Sequence, residues 1–239
     1  MSSLGDKFYQ DFIVDDRWRF ITNGLKITLI VTLFSLIIGV IIGVVIGIIR
    51  CAYDQQDKNE RRGLRGFIVS LLNFIAQIYV TVIRGTPSLV QLLIMYFIIL
   101  VTAKSKVLVA TLTFGINSGA YVAEVIRGGI MSVDSGQMEA GRALGLSYVQ
   151  TMKRIILPQA FKASLPALVN ELITLLKETS ICGYIGLNEL TRGGDIIRGT
   201  TFDAMLPLFT VALIYLALVL IISKMFSLVE RRLRKSDKY

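Results

Sequence analysis

The groups in this chain that could do chemistry are ionisable and amide side chains set inside long apolar runs. In the run 107–131, Asn117 and Ser118 fall near the midpoint with Tyr121 one turn further on; in the run 163–181, Asn170 and Glu171 fall at a similar depth. Such groups are costly in hydrocarbon and mark a solute pathway unless they pair with one another, and many transporters hold solute at that depth. Glu171 is suited to an ammonium, either an α-ammonium or a basic side chain. An internal pair with Lys177 or Arg84, or a hydrogen bond with Asn117, is the equal alternative. Glu124 and Arg127, three apart on one helical face, read as a structural pair. Lys177 and Glu178 either gate or snorkel. Arg84, beside Gly85 and Pro87, either offers a fixed positive charge to a carboxylate or anchors its helix at the interface.

Other chemistries lack their parts. The chain has no histidine, which removes the commonest proton-relay residue but leaves Glu124, Glu171 and Glu178 able to carry protons. No metal-ligand spacing and no nucleophile with a base beside it stands out, so no catalytic or metal site is expected. No Gly-Lys dipeptide occurs, so the phosphate-cradling pattern for ATP is absent and no cofactor is expected in this chain.

The elements that must position these groups are membrane-spanning helices. Of 239 residues, 54% are hydrophobic, above the ~45–50% of soluble domains. Between Leu25 and Ile49 the only charge is Lys26, and about 20 apolar residues suffice to cross a bilayer. Apolar segments fall near 24–49, 67–83, 88–103, 107–131, 163–181 and 205–226. The net charge of +9 is gathered between these runs: Arg50, Lys58, Arg61, Arg62 and Arg65; Arg142, Lys153, Arg154 and Lys162; Arg231, Arg232, Arg234, Lys235 and Lys238. Basic loops stay cytoplasmic, which places all three clusters and the carboxyl terminus inside; clustering of this kind also speaks against nucleic acid as a partner. An odd number of crossings then fits best. Five result if 67–103 crosses once, with Arg84-Gly85-Thr86-Pro87 breaking it into an interfacial or tilted helix and the true span. The expectation is an all-α integral membrane protein of about five transmembrane helices, a single domain over 1–239. Its acidic amino terminus, from Ser2 and Ser3 to Asp15 and Asp16, is unlike a cleavable signal, so the first run reads as a retained span. Cys51 and Cys182 should lie on opposite membrane faces, without a bridge. Gly39, Gly43 and Gly47 make a smooth strip for close helix packing.

Residues 134–162 form a polar, helix-capable loop too long for a simple connection. A first helix, Gln137 to Leu144, would present Ala140, Gly141, Ala143 and Leu144 between Glu139 and Arg142. Gly145 breaks it. Ser147 to Gln150 has the capping-box pattern that starts a second helix, expected to run to Pro158. Docking to another protein and lying on lipid headgroups are both open to such a loop.

Glu139-Ala140-Gly141, with Gly145 and then Ile155, Leu157 and Pro158, resembles the EAA loop of permease subunits in ABC importers; Gly141 stands where the pattern usually has a second alanine. Three further blocks resemble the polar amino acid uptake permeases: Arg84-Gly85-Thr86-Pro87 with Val90 and Gln91; Asn117 to Glu124; and Asn170-Glu171-Leu172 through Leu176 to Ser180. The resemblance implies the type I importer permease fold in a multi-pass cell membrane protein, with the 134–162 coupling loop cytoplasmic. It implies a separate ABC ATPase dimer carrying ATP and Mg, a second permease chain, as in a homodimer, and an extracytoplasmic solute-binding protein. It assigns Glu139, Ala140, Gly141, Arg142, Leu144 and Gly145 to ATPase coupling. Arg84, Thr86 and Gln91 join Asn117, Ser118, Tyr121, Asn170 and Glu171 as the expected pathway for a polar amino acid, basic ones included.

Overall fold

The computed structural model describes residues 4–54 and 63–235, with the side chains of residues 65 and 233–235 left aside. Ser2, Ser3, Lys58, Arg61, Arg62 and Lys238 lie outside the described residues. Those described are mostly helical, with no strand among them: α1 (Leu4–Phe8), α2 (Trp18–Asp54), α3 (Leu64–Gly85), α4 (Ser88–Ile94), α5 (Lys106–Met131), α6 (Ser135–Ala143), α7 (Tyr148–Thr151), α8 (Leu157–Glu178), α9 (Leu190–Thr201) and α10 (Met205–Lys235). Wide π turns follow α4 (Met95–Ile99) and α7 (Met152–Ile156), and a 3-10 stretch, Thr179–Ile185, follows α8.

Among the described residues, four helical stretches are long and apolar enough to cross a bilayer: Trp18–Asp54, Gly66–Gly85, Lys106–Met131 and Met205–Arg232. The 22-residue α8 has the length as well, at ~33 Å for 1.5 Å per residue, but carries Lys162, Glu171, Lys177 and Glu178. The break at Arg84 to Pro87 is where the residues dictate it. Thr86 turns extended ahead of Pro87, and its hydroxyl donates to the Val82 carbonyl at 2.9 Å, satisfying a group the helix end leaves over. The lengths on either side run opposite to expectation. The helix after the break, Ser88–Ile99, is the short one, and α3 before it meets the length for a span. Apolar length licenses a crossing but fixes no tilt.

The chain divides into two compact units, each discontinuous in sequence. One comprises residues 1–36, 87–115 and 172–227. Its core joins Val31 of α2, Leu92 of α4, Ala110 and Phe114 of α5, and Leu175, Cys182 and Ile185 from the end of α8 onward. A second cluster, Phe12, Ile21, Leu190, Ile197 and Val211, ties α9 to α2 and α10.

The other unit comprises residues 37–86, 116–171 and 228–239. Lipid tails are as apolar as leucine, so helices here associate through close packing rather than through escape from water. The glycine strip of α2 performs that role. A Cβ at Gly39 would stand 2.8 Å from the Ser118 side chain, one at Gly43 would run into Val122, and one at Gly47 would stand 3.0 Å from Ile126. On α3, Val80 packs with Ala120 and Ala123 of α5, and the Tyr79 hydroxyl donates to the Ile116 carbonyl at 2.5 Å. Cys51 and Cys182 are buried thiols, one in each unit.

Candidate functional site

The loop between α5 and α8 folds as helix, glycine turn, helix. Asp134 caps α6 by accepting the Gly136 N–H at 2.7 Å. At the other end Gly145 adopts φ +82°. The Gly145 N–H then reaches the Arg142 carbonyl and the Leu146 N–H the Gly141 carbonyl, at 3.0 and 3.1 Å. This paired closure satisfies carbonyls that the helix end would leave bare, and it needs a residue at ease in the left-handed region. The capping box forms: the Ser147 N–H donates to Gln150 Oε1 at 2.9 Å, and the Gln150 N–H to Ser147 Oγ at 3.3 Å.

Two details depart from the sequence-based expectation. Gly141 does not belong to the presented surface. It is buried, and even an alanine Cβ there would overlap the Thr151 side chain. The second helix also does not stop at Pro158. The helix runs on through the π turn into α8, so Pro158 lies inside a continuous helical stretch, directly behind a wide turn of the kind that accommodates an interruption of the hydrogen-bond ladder. The outer face keeps Glu139, Ala140, Arg142 and Ala143 exposed, with Leu144 at 80% and Val149 at 69%. Beneath it, Met138, Met152 and Ile155 pack on Cys51 and Ile130, at the ends of α2 and α5, and on Ile156 of the π turn.

Within the same unit, five charged residues from α2, α3 and α5 gather into one cluster. Glu124 pairs with Arg50. It also lies 3.8 Å from Arg84 and 3.8 Å from Arg127, whose Nε donates to Asp54 at 2.7 Å. The expected Glu124–Arg127 pair is thus one edge of a larger network, and the closer partner of each lies on α2. Arg50 and Asp54, four apart at the end of the first apolar run, carried a helical-spacing signal that reading α5 alone could not use. The Arg84 guanidinium stands over the Tyr121 ring, 5.3 Å from its centroid.

The other expected pathway residues are distributed unevenly. Asn117 and Ser118 are buried, and the Ser118 hydroxyl sits against Gly39, so neither presents surface to a solute in this conformation. Arg84, Thr86, Tyr121 and Asn170 are exposed and Glu171 is half-buried. Gln91, half-buried on α4, belongs to the first unit.

Sequence reasoning missed a buried carboxylate in that first unit. Glu189, 1% exposed, caps α9 by accepting the Thr191 and Arg192 N–H groups at 2.7 Å each, and the Tyr215 hydroxyl at 3.2 Å. Burial pushes its carboxyl above the usual range, and these hydrogen bonds oppose the shift. A Cβ at Gly24 would come within 2.7 Å of the Glu189 carbonyl, so α9 sits directly on α2. The signal was faint: a cap residue in a polar link between two apolar runs. No group of three metal-ligating side chains occurs among the described residues.

Residues 66–235, spanning α3 to α10, match the family described as the binding-protein-dependent transport system inner membrane component. The chain belongs to that family. The permease is 44% identical over 167 residues to the arginine transport system permease protein ArtQ of Bacillus subtilis (strain 168), covering 69% of this chain and 76% of that one. It is 39% identical over 168 residues to the glutamine transport system permease protein GlnP of Escherichia coli (strain K12), covering 69% and 77%. In three dimensions it resembles the crystal structure of an amino acid ABC transporter with histidines, with TM-score 0.79, 38% identity and coverage of 92% and 98%. The inward-facing MetNI methionine ABC transporter, at TM-score 0.75, 20% identity and coverage of 90% and 96%, shares the fold. The permease is thus the permease component of an amino acid ABC transporter, a multi-pass inner membrane protein with the type I importer fold.

Proposed function

We propose that the permease carries polar amino acids, basic ones among them, into the cytoplasm by alternating access, driven by a separate ATPase dimer that holds ATP and Mg. A second copy of the chain completes the translocation unit, and an extracytoplasmic binding protein delivers the solute. The amino acid class is supported by the relatives named for arginine and glutamine. The half-buried Glu171 would favour an ammonium or a basic side chain.

The observation that carries the coupling proposal is the α6–Gly145–α7 knob. It exposes Leu144 and Val149 on a rigidly capped turn, and the π turn joins α7 to the helix bearing Asn170 and Glu171. A push on Glu139 to Gly145 would pass along helix rather than be absorbed in a flexible link. With this loop facing the cytoplasm, ATPase closure would draw two such knobs together and re-aim the pathway residues Arg84, Thr86, Gln91, Asn117, Ser118, Tyr121, Asn170 and Glu171.

The test is co-purification with the cognate ATPase, and stimulation of its ATP hydrolysis, for the native chain against Glu139→Lys and Gly145→Arg. No protein atom lies within 4 Å of a Cβ at Gly145, so an arginine there projects into the space assigned to the ATPase. Both variants are expected to insert in the membrane yet lose the ATPase. Solute uptake by the native chain with no ATPase present would instead identify a carboxylate-driven transporter.

A further inference from the structure

The segment ahead of the first span carries part of its polarity inside out. α1 continues into a π turn, Tyr9–Ile13, and a short 3-10 turn then leads to α2. Lys7 and Asp11 are turned to the protein: the Lys7 Nζ lies 3.1 Å from the Asp203 carboxylate, and Asp11 is buried. Leu4, Phe8, Tyr9 and Ile13 are instead exposed, Leu4 by 69% and Tyr9 by 61%. A helix lying on a protein in water buries its apolar stripe and shows its charges. Exposed apolar residues scattered singly need no explanation, but gathered in so short a stretch they make a contact surface. Leu4 and Phe8 are one turn apart, as are the exposed Asp6 and Gln10, and the two pairs are offset by about 200° around the helix. The segment thus has a side on the protein, an apolar side and a polar side.

Its contacts fix the depth at which it lies. Lys7 holds it to Asp203, which also accepts the Met205 N–H at 2.8 Å at the start of α10. The Phe8 ring meets the Phe12 ring at 5.1 Å, and Phe12 shares a buried cluster with Ile21 of α2 and Val211 of α10. The segment therefore lies beside the starts of two bilayer-crossing helices, Trp18–Asp54 and Met205–Arg232, where hydrocarbon gives way to headgroups. At ~15 Å for 1.5 Å per residue, it is too short to cross a core of about 30 Å. Trp18 is exposed at the same level, and its indole N–H donates to Asp16 at 3.3 Å. An apolar ring with a polar tip of this kind is characteristic of the membrane interface. Phe202, next to Asp203, is 93% exposed and held at φ +58°, a conformation uncommon for a bulky residue. Lipid would bury that ring, and water would not.

We propose that residues 4–13, together with Phe202, form an interfacial lipid anchor. Leu4, Phe8, Tyr9 and Ile13 sit among the upper acyl chains, and Asp6 and Gln10 lie at the headgroups. The anchor stands apart from residues 66–235, which carry the family match. Through the Lys7–Asp203 pair it acts on α10 as well as α2 and holds the starts of both at one depth.

Trp18 is the chain's only tryptophan, so in a Trp18→Phe background each introduced indole reports alone. The permease–ATPase complex is reconstituted in phosphatidylcholine vesicles whose acyl chains carry bromine either near the glycerol or near the chain end, with iodide as the quencher in water. Phe8→Trp should lose emission most to bromine near the glycerol and little to iodide, and Gln10→Trp should lose most to iodide. Leu4→Trp gives the apolar readout at a second position should Phe8→Trp fail to assemble. Quenching of Phe8→Trp and Leu4→Trp by iodide alone would put this side in water. Quenching by neither would show that protein covers it, a second copy or another partner. Strongest quenching by bromine at the chain end would put the segment in the hydrocarbon core. Each of these overturns the proposal, as does a Gln10→Trp that is quenched like Phe8→Trp.

Discussion

Gly141 and Thr151 form a matched pair. The hydroxyl of Thr151 donates to the Ser147 carbonyl at 3.1 Å, and the side chain fills the space that an alanine methyl at 141 would take. The EAA pattern tolerates alanine there in general, but this chain has spent that volume on threonine. Gly141→Ala should therefore destabilise the knob by about 1–3 kcal/mol through overpacking and reduce ATPase stimulation. Adding Thr151→Ala should restore it. The check is ATPase stimulation by the two variants alongside thermal melting of the complex; no rescue in the double variant would place the defect elsewhere. Gly145 acts through the backbone instead, since space around it is open and its φ of +82° is the constraint. Gly145→Ala should cost about 1–2 kcal/mol, seen as a lower melting temperature of the complex.

Among the elements, the contact of α2 with α5 depends on the glycine strip. Gly43→Ala would drive a methyl into Val122, and with no gain from water exclusion to offset the misfit, the melting temperature in detergent should drop. Val122→Ala in the same chain should recover only part of the loss, because it removes the γ-carbon at 2.4 Å but leaves the Val122 Cβ at 2.5 Å and the Ala123 backbone nitrogen at 3.0 Å. The strip's spacing was legible in sequence because Gly39, Gly43 and Gly47 repeat at a helical interval. Its partner was not, because Ser118, Val122 and Ile126 become a facing row only when α5 lies alongside. Pro158 was misread for a related reason. A proline usually ends a helix, but here the helix runs on through it behind a π turn, and π turns leave no sequence signature.

For the whole molecule, the proposed orientation is testable by labelling. With Cys51 and Cys182 buried, a cysteine introduced at exposed Ser147 should react with a membrane-impermeant thiol reagent only from the cytoplasmic side. One introduced at Thr200, exposed near the end of α9, should react only from outside. Labelling of both from the same side would remove the topology on which ATPase coupling depends.

The sequence by itself determined the class and the loop. Apolar runs, basic clusters, the Arg84 to Pro87 break, the capping box and the Gly145 turn are all consequences of local chemistry, set by residues within a few positions of one another. Tertiary structure decided which charges meet. Arg50 and Asp54 reach Glu124 and Arg127 from more than 70 positions away, and Glu189 finds Tyr215 across α9. No local rule encodes such meetings, because an ion pair between helices depends on the register in which they pack.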